Sequence, residues 1–194
     1  MGKSLKIQDM ITIGVYSAIY FVLTAIASGA GTALLPGFSV LLLPGLCALI
    51  TGPVYLILIK KVPKFGAIST MGIIMGLFFI LIGRFILAIV PHIVFGIGAD
   101  LMAKKGNYVD RRLNQLSFLI FSLNMTGPIL PLWFFKHGYT QSLVNRGKDA
   151  EYVARTFANI TWPNLAVCLI FTVICAAIGI VIGRKIVDKH FSTN

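Results

Sequence analysis

From Pro163 to Val187 the chain reads PNLAVCLIFTVICAAIGIVIGRKIV, with no charged residue before Arg184. A helix of about 20 mainly apolar residues crosses the hydrocarbon core of a bilayer, and this run is long enough to do so. Working back toward the N-terminus, five more apolar runs appear: Asp9–Ser28, Gly37–Ile59, Phe65–Gly83, Phe85–Ala103 and Leu116–Phe135. Hydrophobic residues make up 57% of the 194 positions and charged residues only 12%. A soluble domain carries about twice that charged fraction, so most side chains here must meet lipid or a neighbouring helix. The reading is an all-α integral membrane protein of six transmembrane helices, with residues 1–194 forming one membrane domain. The first run follows Met-Gly-Lys-Ser-Leu-Lys and ends in Ala27-Ser28-Gly29-Ala30. It is long for a signal-peptide core and other spans follow it, so it reads as a retained helix.

The net charge of +11 would suggest nucleic acid in a soluble protein. Its distribution gives a different explanation. With the N-terminus in the cytoplasm, Lys3, Lys6, Lys60, Lys61, Lys64, Lys104, Lys105, Arg111, Arg112, Arg184, Lys185 and Lys189 lie inside. Arg84, Lys136, Arg146, Lys148 and Arg155 lie outside, so the count is twelve against five. That is the positive-inside bias, and it places both termini in the cytoplasm with no nucleic-acid partner.

The longest gap, residues 137–162, is then external. Within it Ala150, Val153, Ala154 and Phe157 follow helical spacing, and Glu151 precedes Arg155 by four. This predicts a short amphipathic helix on the outer interface, either a solvated surface helix or part of a lid. Gly29-Ala30-Gly31-Thr32-Ala33-Leu34-Leu35-Pro36 reads as a mobile external connection between the first two spans. Pro44, Pro91, Pro128 and Pro131 fall in the outer halves of their spans. Each frees a backbone carbonyl that lipid cannot satisfy, which points to an outward cavity. Gly14-x-x-x-Ala18, Gly72-x-x-x-Gly76 and Gly179-x-x-x-Gly183 are small-residue ridges suited to close helix packing, inside the bundle or against a partner.

Few catalytic patterns are present. There is no phosphate-binding GxxxxGK[ST] loop and no HExxH. Gly96-Ile97-Gly98-Ala99-Asp100 resembles an intramembrane aspartyl-protease signature with one residue too many, and no second intramembrane aspartate exists to share a proton. Asp100 precedes Lys104 and Lys105 and is expected to be capped or salt-bridged. Cys47, Cys168 and Cys175 lie in apolar runs without metal-ligand spacing and read as packing residues. The chain is therefore not read as an enzyme, and no cofactor or metal is expected. The polar residues in or above the outer halves are Arg84, His92, Asn124, Thr126, Trp133, Thr161, Trp162 and Asn164. Polar groups at membrane depth default to a functional role. From these the candidate ligand residues are Asn124, His92, Trp133, Trp162, Asn164 and Arg84. Trp133 and Trp162 also suit interfacial anchors, and Arg84 either snorkels to the surface or meets an anionic ligand group.

Ile11–Leu23 (ITIGVYSAIYFVL), Ala48–Pro53 (ALITGP), Phe95–Leu101 (FGIGADL) and Gly127–Leu132 (GPILPL) carry a resemblance. So does Gly183-Arg184-Lys185 followed by Lys189-His190-Phe191. Over nearly its whole length the chain resembles the substrate-binding S components of energy-coupling factor (ECF) transporters, more narrowly the MptD or Trep_Strep family. The resemblance implies a six-helix S-component bundle in a bacterial cell membrane. It further implies capture of a vitamin-like micronutrient from outside and delivery through a transmembrane T subunit powered by two separate ATPases. In such proteins small residues of the first span face the T subunit, which makes Gly14 and Ala18 the docking candidates here. The alternative function is a self-standing small-molecule membrane transporter with Asn124 and the broken helices on its path.

Overall fold

The computed structural model describes residues 4–34 and 38–191, with side chains through residue 189. Among these residues the secondary structure is entirely helical: α1 (Ile7–Leu34), α2 (Ser39–Lys61), α3 (Ala67–Leu81), α4 (Ile89–Lys105), α5 (Arg111–Ser122), α6 (Pro131–Phe134), α7 (Lys136–Asn145), α8 (Ala150–Phe157) and α9 (Trp162–Phe191). Short 3-10 turns at Ile86–Ala88 and Leu123–Thr126 lead into α4 and out of α5. Four helical stretches among the described residues are long and apolar enough to cross a membrane: Ile7–Leu34, Ser39–Lys61, Ile86–Lys105 and Trp162–Lys189. The apolar α3 has 15 residues, so it rises only about 22 Å and is shorter than a typical span.

Two readings of the sequence change. The expected connection at residues 29–36 is helical through Leu34, while Leu35 and Pro36, with the Gly37 start of the second run, lie outside the described residues. In an apolar setting every backbone group must be bonded within the segment, and this favours helix even through Gly29 and Gly31. Thr32 adds its hydroxyl to the Ser28 carbonyl at 2.9 Å. Conversely, Leu116–Phe135 is not one helix. It stops at Ser122, tightens into 3-10 geometry and resumes only for the single turn of α6. Pro128 and Pro131 have no N–H to give, so local bonds take over: Gly127 N–H to Asn124, Ile129 to Thr126, and Leu132 to Ile129. The other prolines behave differently. Pro91 falls in the first turn of α4, where its N–H would have no intrahelical partner in any case, and α2 runs unbroken through Pro44 and Pro53.

α2 lies at the centre. Its largest interface is with α9, and α1 covers it from another side, while α3 packs on α4 and α4 on α5. The small-residue ridges explain two of these contacts. A Cβ added to Gly183 would sit 2.7 Å from the Pro53 nitrogen, and one added to Gly72 would sit 2.6 Å from the His92 carbonyl oxygen. Gly179–Gly183 and Gly72–Gly76 are therefore internal seams. The Gly14 ridge on α1 is not, because a Cβ there would meet nothing within 4 Å and Ala18 is exposed.

Polar contacts pin the end of the bundle that carries both chain ends. Asp100 is fully buried, and its Oδ2 accepts the backbone N–H of Gly66 (2.8 Å) and of Ser69 (3.0 Å) together with the Ser69 hydroxyl (2.8 Å). Its Oδ1 accepts the Tyr108 phenol at 2.9 Å. The carboxylate thus caps α3, taking up orphan donors and facing the positive end of that helix dipole. Nearby, Lys64 and Asp9 pair at 2.6 Å and tie α1 to the α2–α3 turn. In the core, Tyr55 donates to Ser117 (2.6 Å), which donates to the Ala99 carbonyl (2.6 Å), linking α2, α5 and α4 through one hydroxyl relay.

Candidate functional site

The break after α5 builds the candidate site. Because the chain leaves helical geometry at Leu123, the following residues fold back over the end of the bundle opposite the termini. α7 and α8 then lie across it. The short α8 is strongly amphipathic, and Asp149 caps it by accepting the Tyr152 N–H at 2.7 Å. Gly147, at φ +73°, supplies the left-handed turn between α7 and α8. Arg146 donates to the carbonyls of Gly83 and Ser142, fastening the end of α7 to the turn after α3. Underneath, Leu41, Ile129, Leu132, Tyr139, Leu143 and Cys168 form a second apolar cluster separate from the main core.

Between this cluster and α8 is a cavity of about 630 Å³. Its floor comes from Val40, Leu41, Pro128, Ile129 and Leu132, and its walls from Tyr139, Leu143, Tyr152, Arg155, Thr156 and Asn159, with Arg84 at one side. That volume lies within the range of about 300–1,000 Å³ that holds small organic ligands. Among the described residues two cations line it and no carboxylate does. Glu151 approaches Arg155 at 3.8 Å from one helical turn away, with both side chains mostly exposed, so it neutralises Arg155 only weakly.

Of the six ligand candidates read from the sequence, Arg84 lines this cavity. His92 and Asn124 lie deeper, both fully buried, where α4 meets the 3-10 turn. His92 Nδ1 bonds the Ala88 carbonyl at 2.8 Å and its ring packs on Phe79 at 5.3 Å. Its Nε2 and both amide atoms of Asn124 have no partner among the described residues. A buried polar atom left unpaired costs roughly 1–3 kcal/mol. Trp133 and Asn164 brace the cavity from behind: Trp133 Nε1 donates to the Thr161 carbonyl (2.9 Å) and Asn164 Nδ2 to the Asn159 carbonyl (2.9 Å). Trp162 is 63% exposed, with its ring edge-on to Phe134 at 5.7 Å, the disposition of an interfacial anchor.

One comparison with known proteins bears on this architecture. The family model described as "Hypothetical bacterial integral membrane protein (Trep_Strep)" matches residues 7–193. The chain belongs to the Trep_Strep family. It is therefore a bacterial integral membrane protein, in keeping with its several apolar helices able to span a membrane. No curated protein and no solved structure matches it.

In this Trep_Strep protein the sequence reading passed over Tyr139, Tyr152, Arg155, Thr156 and Asn159 as cavity residues. All five belong to the segment read as external. The Glu151–Arg155 spacing marked the helix but not the face it turns inward. The available signal was that every cation assigned to the outer side lies at Arg84 or between Lys136 and Arg155. That concentration marks the segment that covers the cavity, although all five side chains are exposed.

Proposed function

We propose that this protein is the substrate-binding membrane subunit of an ECF-type importer. In this role it captures a vitamin-like micronutrient from outside and passes it through a transmembrane T subunit driven by two separate ATPases. The observation that carries the reading is the contrast among the small-residue ridges. Two are consumed by α2–α9 and α3–α4 packing, whereas Gly14 and Ala18 lie on an open face of α1 flanked by exposed Ile11, Val15 and Val22. A small-residue strip on a membrane helix lets a second helix approach closely, and among the described residues no helix of the same chain takes that place. The cavity at the opposite end from the termini supports capture, and a chain without a phosphate-binding loop suits a division of labour in which separate subunits carry the ATPase. The topology that goes with this reading has six membrane passes, α1, α2, α3, α4, the broken α5–α6 segment and α9, with cytoplasmic termini.

Co-expression with ECF T and ATPase subunits, followed by pull-down, tests the proposal. A complex should form, and Ala18→Leu should reduce its recovery at least about tenfold, the scale of losing about 1.4 kcal/mol of contact. Because Ala18 is exposed, the variant should fold normally. A complex indifferent to Ala18→Leu, or no complex with several cognate modules from a well-folded sample, would overturn the proposal. Uptake by the protein alone in liposomes would then assign a self-standing transporter.

A further inference from the structure

We propose that the outer cavity binds an amphipathic organic anion. Its carboxylate or phosphate is held by Arg84 and Arg155, and its aromatic or aliphatic body rests on the accessible apolar lining at Val40, Tyr152 and Ile160. The identity of this ligand as transported cargo rests on the importer reading; the binding site itself does not.

The five cations around the cavity are not equivalent. Arg146 is spent on the Gly83 and Ser142 carbonyls, Lys136 lies over the Phe157 ring at 5.2 Å, and Lys148 over the Tyr152 ring at 4.8 Å. Arg84 has no hydrogen-bond or ion-pair partner for its guanidinium among the described residues, and Arg155 has only the loose 3.8 Å contact with Glu151. These two are the ones that line the cavity. Of the two carboxylates on the covering segment, Asp149 is engaged in capping α8 and Glu151 is outside the lining. The cavity therefore presents uncompensated positive charge above an apolar floor. A guanidinium fork matches the two oxygens of a carboxylate or phosphate, which accept parallel N–H bonds. Hydroxyls of Tyr139 and Tyr152 add neutral partners for further polar groups, while that of Thr156, which donates to the Tyr152 carbonyl at 2.8 Å, can only accept. The apolar part of the lining asks for a part of the ligand with no charge, because a free inorganic anion would leave Val40 and the ring of Tyr152, 40% and 41% exposed, facing water.

The test uses the full chain in phosphatidylcholine nanodiscs, with binding and thermal unfolding read against 2-naphthoate, phenyl phosphate, inorganic phosphate and the neutral 2-naphthamide. Naphthoate and phenyl phosphate should bind and raise the unfolding temperature; naphthamide and inorganic phosphate should bind at least about tenfold more weakly, the scale of one charge-assisted bond or of the lost apolar contact. Arg84→Gln and Arg155→Gln should each weaken naphthoate binding about tenfold or more, while Arg112→Gln, at the terminal end, leaves it unchanged. Glu151→Gln should tighten binding by releasing Arg155, a gain that a folding defect cannot produce. Naphthamide binding as well as naphthoate, or arginine variants without effect, overturns the proposal. So does an Arg84-dependent stabilisation produced only by adding phosphatidylglycerol, which would assign the arginines to lipid headgroups. Pull-down with T and ATPase subunits separates the two readings: a complex without anion binding sinks only this inference, and anion binding without a complex sinks only the importer.

Discussion

The same substitution, glycine to alanine, should have opposite signs at two positions of this protein. At Gly179 an added Cβ would sit 2.8 Å from the Leu49 carbonyl oxygen and 2.9 Å from Leu49 Cα, with the Ala48 carbonyl closer still. These are backbone atoms of α2, so no side chain can rotate away. Carbon contacts settle at about 3.5–4.0 Å, and α2 and α9 must therefore part by nearly 1 Å along their seam. Overpacking of this kind costs about 1–3 kcal/mol, and alanine's better helix propensity returns about 0.5–1 kcal/mol. With contacts this short and all to backbone, the upper half of the overpacking range applies, and the expected net loss for Gly179→Ala is about 1–2 kcal/mol. At Gly14 nothing lies within 4 Å, so only the propensity gain of about 0.5–1 kcal/mol remains. At roughly 2–4 °C per kcal/mol for a chain of this size, Gly179→Ala should unfold several degrees lower than wild type and Gly14→Ala at the same temperature or slightly higher. Tryptophan fluorescence on heating in a single detergent, with Trp133 and Trp162 as reporters, reads both. A Gly179→Ala protein as stable as wild type, or a Gly14→Ala protein that is clearly less stable, would refute the assignment of one ridge to internal packing and the other to an open face.

Asp100→Asn should destabilise by about 2 kcal/mol, since the amide loses the charge and part of the acceptor capacity that hold Gly66, Ser69 and Tyr108; chemical denaturation in detergent measures it. Asn124→Leu should leave the fold equally or more stable, because both amide atoms are buried without partners among the described residues; a loss above about 1 kcal/mol on heating would show that the amide is bonded. Burial, and then the bond to Asp100, push the Tyr108 phenol well above the ordinary tyrosine value, so the folded state holds this proton more tightly than the unfolded chain. Its contribution is complete below about pH 10 and is lost as pH rises further, so Tyr108→Phe should flatten part of the alkaline fall in stability.

The membrane class was legible in the sequence because it depends on composition and run length alone: 57% apolar residues arranged in long stretches exclude a water-soluble core whatever the packing. Local chemistry was legible too. The spacing of Ala150, Val153 and Phe157 matches α8, whereas Asp100, expected to be capped or salt-bridged beside Lys104 and Lys105, instead binds Gly66, Ser69 and Tyr108 and caps α3. The sequence could not say which of three similar small-residue ridges faces outward, because Gly-x-x-x-Gly specifies a close approach and not its partner. Pro128 and Pro131 announced a broken fifth run, but not that its helix stops as early as Ser122, leaving Asn124 buried without a partner among the described residues, nor that Arg84 and Arg155, 71 positions apart in the chain, line one cavity. Partition into lipid sums over residues one by one, so it can be read along the chain. A site requires side chains from distant segments to converge, and only the tertiary fold brings α2, α7, α8 and the turn after α3 to one place.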